Sequence, residues 1–182
     1  MKILKGELVE NRVIIWSKEA LKLYEEKGFG KPMPKENPER LELELVEAAY
    51  LLEKKKIKVV KDGKAMDFKK FLNYCVKKIH KFLLLFLVYK DLRDKGYLVK
   101  TGFKFGAHFR VYEKGVKLKK GPKAPYEHTK FVVHVVEEEA AFSLPEMARA
   151  VRLAHNIRAR FVWAVVDKEN DITYYQIIRF LP

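Results

Sequence analysis

Cysteine is almost missing from this chain of 182 residues: Cys75 stands alone. No internal disulfide can form, no Cys-based zinc site can be assembled, and Cys75 itself reads as a small buried hydrophobe. Long apolar runs are missing too. The longest, Phe82 to Tyr89, falls far below the roughly 20 residues that a membrane-spanning helix requires. The basic, mixed N-terminus carries no apolar stretch of the signal-peptide kind, so the chain reads as a soluble cytoplasmic protein. Acids are in short supply: 24 Asp and Glu face 38 Lys and Arg, a net charge of +14. A field of that sign favours polyanionic partners, nucleic acid or an anionic membrane, without choosing between them. The five histidines, at 80, 108, 128, 134 and 155, show no zinc spacing, and no G-x-x-x-x-G-K-[ST] loop is present. Metalloprotease and P-loop readings therefore lose their main supports, and no cofactor or metal is expected. The one carboxylate cluster, Glu137 to Glu139, reads as surface.

What the chain does have is a core: 48% of its residues are hydrophobic and 13% aromatic, enough for one mid-sized domain or two small ones. Residues 3 to 16 read as a β-hairpin turning at Glu10-Asn11. Ser17 then caps a short helix that Gly28 ends. Three prolines and two glycines between Gly28 and Pro38 predict a loop. Leu41, Leu45, Ala48, Ala49 and Leu52 recur at helical spacing, which predicts an amphipathic helix over 40–54. A short strand at 57–60 leads to the Asp62-Gly63 turn, then a helix over 67–78 and a more apolar one over 82–95 ended by Gly96. From Tyr97 the period shifts to that of strands, at 97–101, 103–105, 109–112 and 131–136. Ser143-Leu-Pro-Glu146 is a capping box opening a helix to about Arg158, and two strands, 161–166 and 172–180, close the chain. The fold class is α/β (α+β): a small N-terminal domain over 1–80, a connecting helix over 81–96 and a mixed-sheet domain over 97–182.

The basic excess is also local. Between Lys100 and Lys130 nine cations face two acids, Glu113 and Glu127, and Phe103, Phe105, Phe109, Tyr112 and Tyr126 lie among them. Aromatic faces beside cations can stack bases while phosphates are held, which makes Lys104 and Lys130 candidate RNA contacts. With no metal to recruit, the chemistry left is acid–base. Cleaving RNA through its own 2′-hydroxyl needs one group to take that proton, another to protonate the departing 5′-oxygen, and a cation beside the pentavalent phosphate. Histidine, with an ordinary pKa near 6.5, suits the acid. Tyrosine, near 10, serves as base only with cations beside it. His128 follows the basic loop and precedes an apolar strand.

Four blocks now become familiar: Val88 to Tyr112, Tyr126-Glu-His-Thr-Lys-Phe131, Val151-Arg-Leu-Ala-His-Asn-Ile-Arg158, and Asp171-Ile-Thr-Tyr-Tyr175. In order and spacing they resemble the archaeal tRNA-splicing endonucleases, over essentially all of residues 88 to 182. The N-terminal half is similar to the smaller α/β domain of that family on weaker motifs. The resemblance implies Tyr112 as general base and His128 as general acid. It also implies a lysine at position 159, where this chain has Ala159. A methyl group cannot neutralise a phosphorane. An engineered Lys→Ala substitution, a naturally impaired subunit, or replacement by Arg160 would each account for it; with Tyr112 and His128 retained, an inactivating change in an otherwise competent subunit is favoured.

The resemblance further implies a precursor tRNA whose bulge–helix–bulge presents two cleavage sites, cut without metal to 2′,3′-cyclic phosphate and 5′-hydroxyl ends in a lyase-type reaction. Arg152 aligns with an arginine that clamps a bulge base by cation–π stacking, with a second arginine that the sequence does not place; His155 reads as packing or a structural hydrogen bond. Two cuts require two active sites at a fixed separation, hence a symmetric oligomer. The last strand, with Tyr174 and Ile177, resembles the one that pairs subunits, and the acidic turn Asp167, Glu169, Asp171 resembles the loop that docks into a basic groove of an opposing subunit. A homotetramer and an α2β2 heterotetramer with a structural subunit are both family options. Lys31 and Lys35, and the insertion from Val116 to Pro125, are similar to catalytic subunits of the heteromeric type, whose extra loop lysine touches RNA. Two other readings stay open: a non-catalytic structural subunit of the same endonuclease, and a general basic RNA-binding module.

Overall fold

The computed structural model describes residues 3–33, 39–102, 106–118, 124 and 127–180. The chain divides into two compact units, Met1–Phe86 and Leu87–Pro182. No helix of the described residues is long and apolar enough to cross a membrane.

The first unit is a six-stranded sheet with helices. β1 (Leu4–Val9) and β2 (Arg12–Ile15) form the expected hairpin, with Glu10 in the left-handed region at the turn. A single helical turn (Lys18–Ala20), capped by the Ser17 hydroxyl, runs into α1 (Leu21–Lys27), and Gly28 ends it at φ 69°. Two expectations fail here. Part of the 28–38 stretch read as loop is β3 (Lys31–Met33), whose Pro32 is tolerated because β3 is an edge strand. The helix read over 40–54 is instead β4 (Arg40–Glu44) followed by α2 (Leu45–Glu53). Leu41 and Leu43 are fully buried while Arg40, Glu42 and Glu44 are half-exposed, the period-2 alternation of a sheet with one face buried. β5 (Ile57–Lys61) pairs in parallel with β1, and β6 (Lys64–Met66), a strand the sequence did not announce, folds back across Asp62-Gly63. The order is β3-β4-β2-β1-β5-β6. α3 (Phe68–Lys78) follows, with Asp67 as N-cap. Val13, Ile15, Leu41, Leu43, Ile57 and Val59 form the floor of this core. Buried Glu47 accepts hydrogen bonds from the backbone N–H groups of Gly30 and Glu44, each at 3.0 Å, and so fixes the chain that enters β3 at Lys31.

The unit boundary falls inside α4 (Phe82–Asp94). Beyond it lies a five-stranded sheet: β7 (Leu98–Thr101), β8 (Phe109–Tyr112), β9 (Thr129–Glu137), β10 (Arg160–Val166) and β11 (Ile172–Ile177), in the order β11-β10-β9-β8-β7. β11 stops three residues short of the expected Phe180, and the strand read at 103–105 lies outside the described residues. Only β9 and β10 are parallel, and the crossover joining them carries α5 (Leu144–Asn156), opened by the Ser143–Glu146 capping box. α5 covers one face, where Val132, Ala154 and Phe161 are buried with Val151 and Ile177 packed beside them. α4 covers the other: Tyr89 meets Phe109 with ring centres 5.7 Å apart, and the Tyr174 hydroxyl donates to Asp91 at 2.6 Å. Helices and mixed sheets in two successive units make this an α+β chain.

Candidate RNA-cleaving site at the end of the second sheet

The strand registers bring three of the expected positions to one end of the sheet. Tyr112 is the last residue of β8 and its Cα partner on β9 is Thr129, the neighbour of His128. Arg160 opens β10 opposite Phe131, so Ala159 enters beside Lys130. With strands about 4.8 Å apart, these positions fall on three adjacent backbones within about 10 Å. Between Val111 and Tyr112 the register slips by one residue, which leaves Lys130 as the extra residue of a bulge that bends β9 just after His128.

Ala159 owes its place to the way α5 ends. Arg158 takes the left-handed conformation at φ 56°, and the Ala159 N–H closes back on the Ala154 carbonyl at 2.9 Å. Such a closure satisfies a helix-end carbonyl, and here a non-glycine residue sits in a region that L-residues avoid by roughly 1–2 kcal/mol.

The side chains at the sheet end differ in exposure. His128 is exposed, whereas Tyr112 is only 3% exposed and packs with Leu98 and Val116. The Tyr112 ring is therefore largely enclosed, in contrast to His128. The Arg110 guanidinium lies 6.0 Å from the centre of the Tyr112 ring and is itself tied to the Thr101 carbonyl at 3.1 Å. Lys130 is ion-paired with Glu113, and that hydrogen bond holds the Glu113 carboxyl below its ordinary value. Lys104 and Lys35 lie outside the described residues.

Beside this end α5, β10 and β11 enclose a hollow of about 850 Å³. Arg152, His155, Ala159 and Arg160 line it, with Gln176 and Arg179 from the last strand and its extension, over an apolar floor that includes Val151, Phe161 and Ile177. Tyr112 and His128 are not among its lining residues. Arg152, His155 and Arg160 are exposed, so their cationic or hydrogen-bonding heads are available to a polyanion. The sequence did not single out Gln176 or Arg179 for this hollow. The Phe161–Ile177 register, which brings the end of β11 under α5, is the feature that places them there. Among the described residues no group of three or more His, Cys, Asp or Glu could hold a metal ion.

The profile of the tRNA intron endonuclease catalytic C-terminal domain matches residues 82–174, and that of the N-terminal domain of the same enzymes matches residues 4–72. The chain belongs to the tRNA intron endonuclease family. It is 38% identical over 177 residues to the tRNA-splicing endonuclease of Pyrococcus abyssi, covering 97% of this chain and 96% of that one. The corresponding protein of Thermococcus onnurineus is 45% identical over 138 residues, 76% of this chain and 75% of its own. That of Methanosarcina mazei is 42% identical over 174 residues, and there the match spans 94% of this chain but 46% of the relative.

The remaining expected positions fall elsewhere on this endonuclease-family fold. Lys31 is exposed on the edge strand β3 of the first unit. The acidic turn lies at the opposite end of β10 from Ala159, where the Asp167 carboxylate accepts from the N–H groups of Glu169 and Asp171, each at 2.9 Å. Tyr174 faces α4, while Ile177 joins the cluster under α5. β11 is an edge strand, and Tyr175, Ile178 and Phe180 on or just after it are exposed.

Proposed function

We propose that this chain is the RNA-cleaving type of subunit of a tRNA-splicing endonuclease, carrying Ala159 where the catalytic lysine is expected. The observation that carries the reading is the convergence of positions 112, 128 and 159 on one end of three adjacent strands. In the reaction the 2′-oxygen of the nucleotide before the cut forms a bond to phosphorus and the bond from phosphorus to the 5′-oxygen breaks. Tyr112, as phenolate, takes the 2′-hydroxyl proton, and His128, as imidazolium, gives a proton to the departing oxygen. The products are a 2′,3′-cyclic phosphate and a 5′-hydroxyl. No step needs a metal. Charge on the pentavalent phosphorus is left without its lysine, so the chain as it stands is impaired. Of the two arginines that flank Ala159, Arg160 lines the same hollow and is the candidate replacement.

The substrate is a precursor tRNA folded as a bulge–helix–bulge, with Arg152 stacking on a bulge base and Lys31, Lys35, Lys104 and Lys130 contacting the RNA backbone. Assembly is an α2β2 heterotetramer with a structural subunit. The exposed apolar residues of the β11 edge support a subunit pairing there, because an open apolar edge invites another strand. The Asp167–Asp171 turn, already stiffened by its own hydrogen bonds, is the docking loop.

A second reading, a structural subunit that binds without cutting, draws on Ala159 and on the burial of Tyr112. The test is cleavage of a bulge–helix–bulge transcript by the assembled enzyme in excess EDTA, with the chain as given and as Ala159→Lys. Restoring a preorganised cation is expected to raise the rate by about 10²–10³-fold, with cyclic phosphate ends. No cutting by either form would overturn the cleaving reading and support the structural one.

A further inference from the structure

A second concentration of charge, in the first unit, has no part in the site above. The stretch from Lys54 to Lys81 holds eleven lysines against two aspartates, a net +9, while all other residues of Met1–Phe86 hold nine cations against eleven acids, a net −2. The positive charge of this unit is therefore gathered on β5, β6, α3 and their connections. A surface charged only for solubility mixes the two signs. The β2–β4 side of the same sheet does so, with Arg12 on Glu44 at 2.8 Å and Arg40 on Glu42 at 3.1 Å. On the lysine-rich side like charges adjoin instead. Lys61 and Lys64 are direct cross-strand partners, an arrangement that weakens a hairpin. The Lys61 and Lys78 ammonium groups both approach the Tyr74 ring, at 4.7 and 5.8 Å from its centre. One of the two acids, Asp67, is occupied as the N-cap of α3 and as the partner of Lys70 at 3.6 Å.

The shape of this patch says how it would be used. Lys70, Tyr74, Lys77 and Lys78 recur at i, i+4, i+7 and i+8, so one stripe of α3 carries them over about 12 Å. Lys64, Lys70, Lys77 and Lys78 are exposed. Tyr74 is already engaged: Lys61 lies over its ring, and its hydroxyl donates to the Glu10 carbonyl at 2.8 Å. The Tyr74 ring is thus already occupied by a cation, and what the patch chiefly offers a ligand is ammonium groups. Contacts of that kind hold phosphates without reading sequence.

We propose that the face formed by α3 and the β5–β6 hairpin is a second RNA-docking surface, which holds the phosphate backbone of the RNA cleaved by the C-terminal unit. The inference rests on the function proposed above. It is tested with the assembled enzyme carrying Lys64→Gln, Lys77→Gln and Lys78→Gln together. The control triple, Lys18→Gln, Lys22→Gln and Lys27→Gln, removes the same charge from a stretch that also holds Glu19, Glu25 and Glu26. Binding of a bulge–helix–bulge transcript is measured from about 50 to 200 mM salt. Loss of three phosphate contacts is expected to lower the slope of log K against log salt by about 2 to 2.7, and affinity near 100 mM by roughly 100-fold, with the control near the parent. An unchanged slope in the patch triple, with the parent binding normally, overturns this inference and leaves the proposed function standing. A parent enzyme that binds no RNA overturns both. Loss of binding to phosphatidylserine vesicles with RNA binding intact also overturns it, and makes the patch a membrane contact.

Discussion

Replacing Tyr174 by Phe should loosen the edge strand that is proposed to pair subunits. The tyrosine hydroxyl donates to Asp91 Oδ2 at 2.6 Å, Lys95 Nζ reaches the same oxygen at 2.6 Å, and the Lys95 ammonium lies 5.1 Å from the centre of the Tyr174 ring. These contacts tie β11 to α4 across the far face of the sheet. A hydrogen bond to a charged acceptor contributes about 1.5–3 kcal/mol when buried. Asp91 is about one-third exposed and keeps Lys95 and water after the change, which puts the expected loss at the low end, about 1–1.5 kcal/mol. At a urea dependence of about 2 kcal/mol per molar, the midpoint of the C-terminal unit falls by about 0.5–0.7 M, and the amides of β11 exchange faster than those of β9. Burial, reinforced by the Asp91 hydrogen bond, pushes the Tyr174 phenol up, so the folded state holds that proton more tightly than the unfolded one. Its stabilising share is complete below pH 10 and is lost as the pH rises above it, a loss that Tyr174→Phe should abolish. A midpoint moved by less than about 0.1 M, or an alkaline loss undiminished in the variant, would refute this reasoning.

Two further outcomes follow from buried polar groups. Glu47→Ala strips acceptors from the N–H groups of Gly30 and Glu44 and should cost the first unit about 2–4 kcal/mol, read by denaturant unfolding; a cost below 1 kcal/mol would mean that water takes over. Burial lowers the pKa of His134, which is packed 4.5 Å from the His108 ring, and His108 Nδ1 accepts from the Val135 N–H at 2.9 Å. The unfolded chain takes up the proton first, so stability should fall as pH drops below 6.5 and the loss should shrink in His134→Phe. The shifted carboxylates of Asp67, Glu113, Glu139 and Glu146 all lie below their ordinary values, so a midpoint series from pH 7.5 to 5 isolates the histidines.

Much of the fold is legible in the chain because local signals and packing agree. Glu10-Asn11, Gly28 and the Ser143–Glu146 box each fix a turn or cap by backbone chemistry alone, and the structure places them as the spacing predicts. Position 40–54 misleads because Leu41 and Leu45 satisfy a helical period, while Leu41, Leu43 and Leu45 also satisfy a strand period. Pairing with β2 decides it in favour of a strand up to Glu44. β3 is hidden by its proline, and β6 by its lysine-rich, three-residue length. In the candidate site, the three sheet-end positions come from motifs, but their convergence depends on registers between strands far apart in sequence, which no local pattern encodes. The hollow under α5 and the burial of Tyr112 are likewise products of packing.

The central claim is that positions 112, 128 and 159 act as one unit on a single phosphodiester. A double-mutant cycle in the Ala159→Lys background, assembled with its partner subunit and given a bulge–helix–bulge transcript at saturation, tests it most directly. Tyr112→Phe and His128→Ala should each slow cleavage by 10²-fold or more, and the double variant should be little slower than the worse single one, as expected of groups that serve one transition state. Rates in the Tyr112→Phe variant equal to those of its parent would contradict the account, because a phenol packed against Leu98 and Val116 would then be part of the core and not of the chemistry.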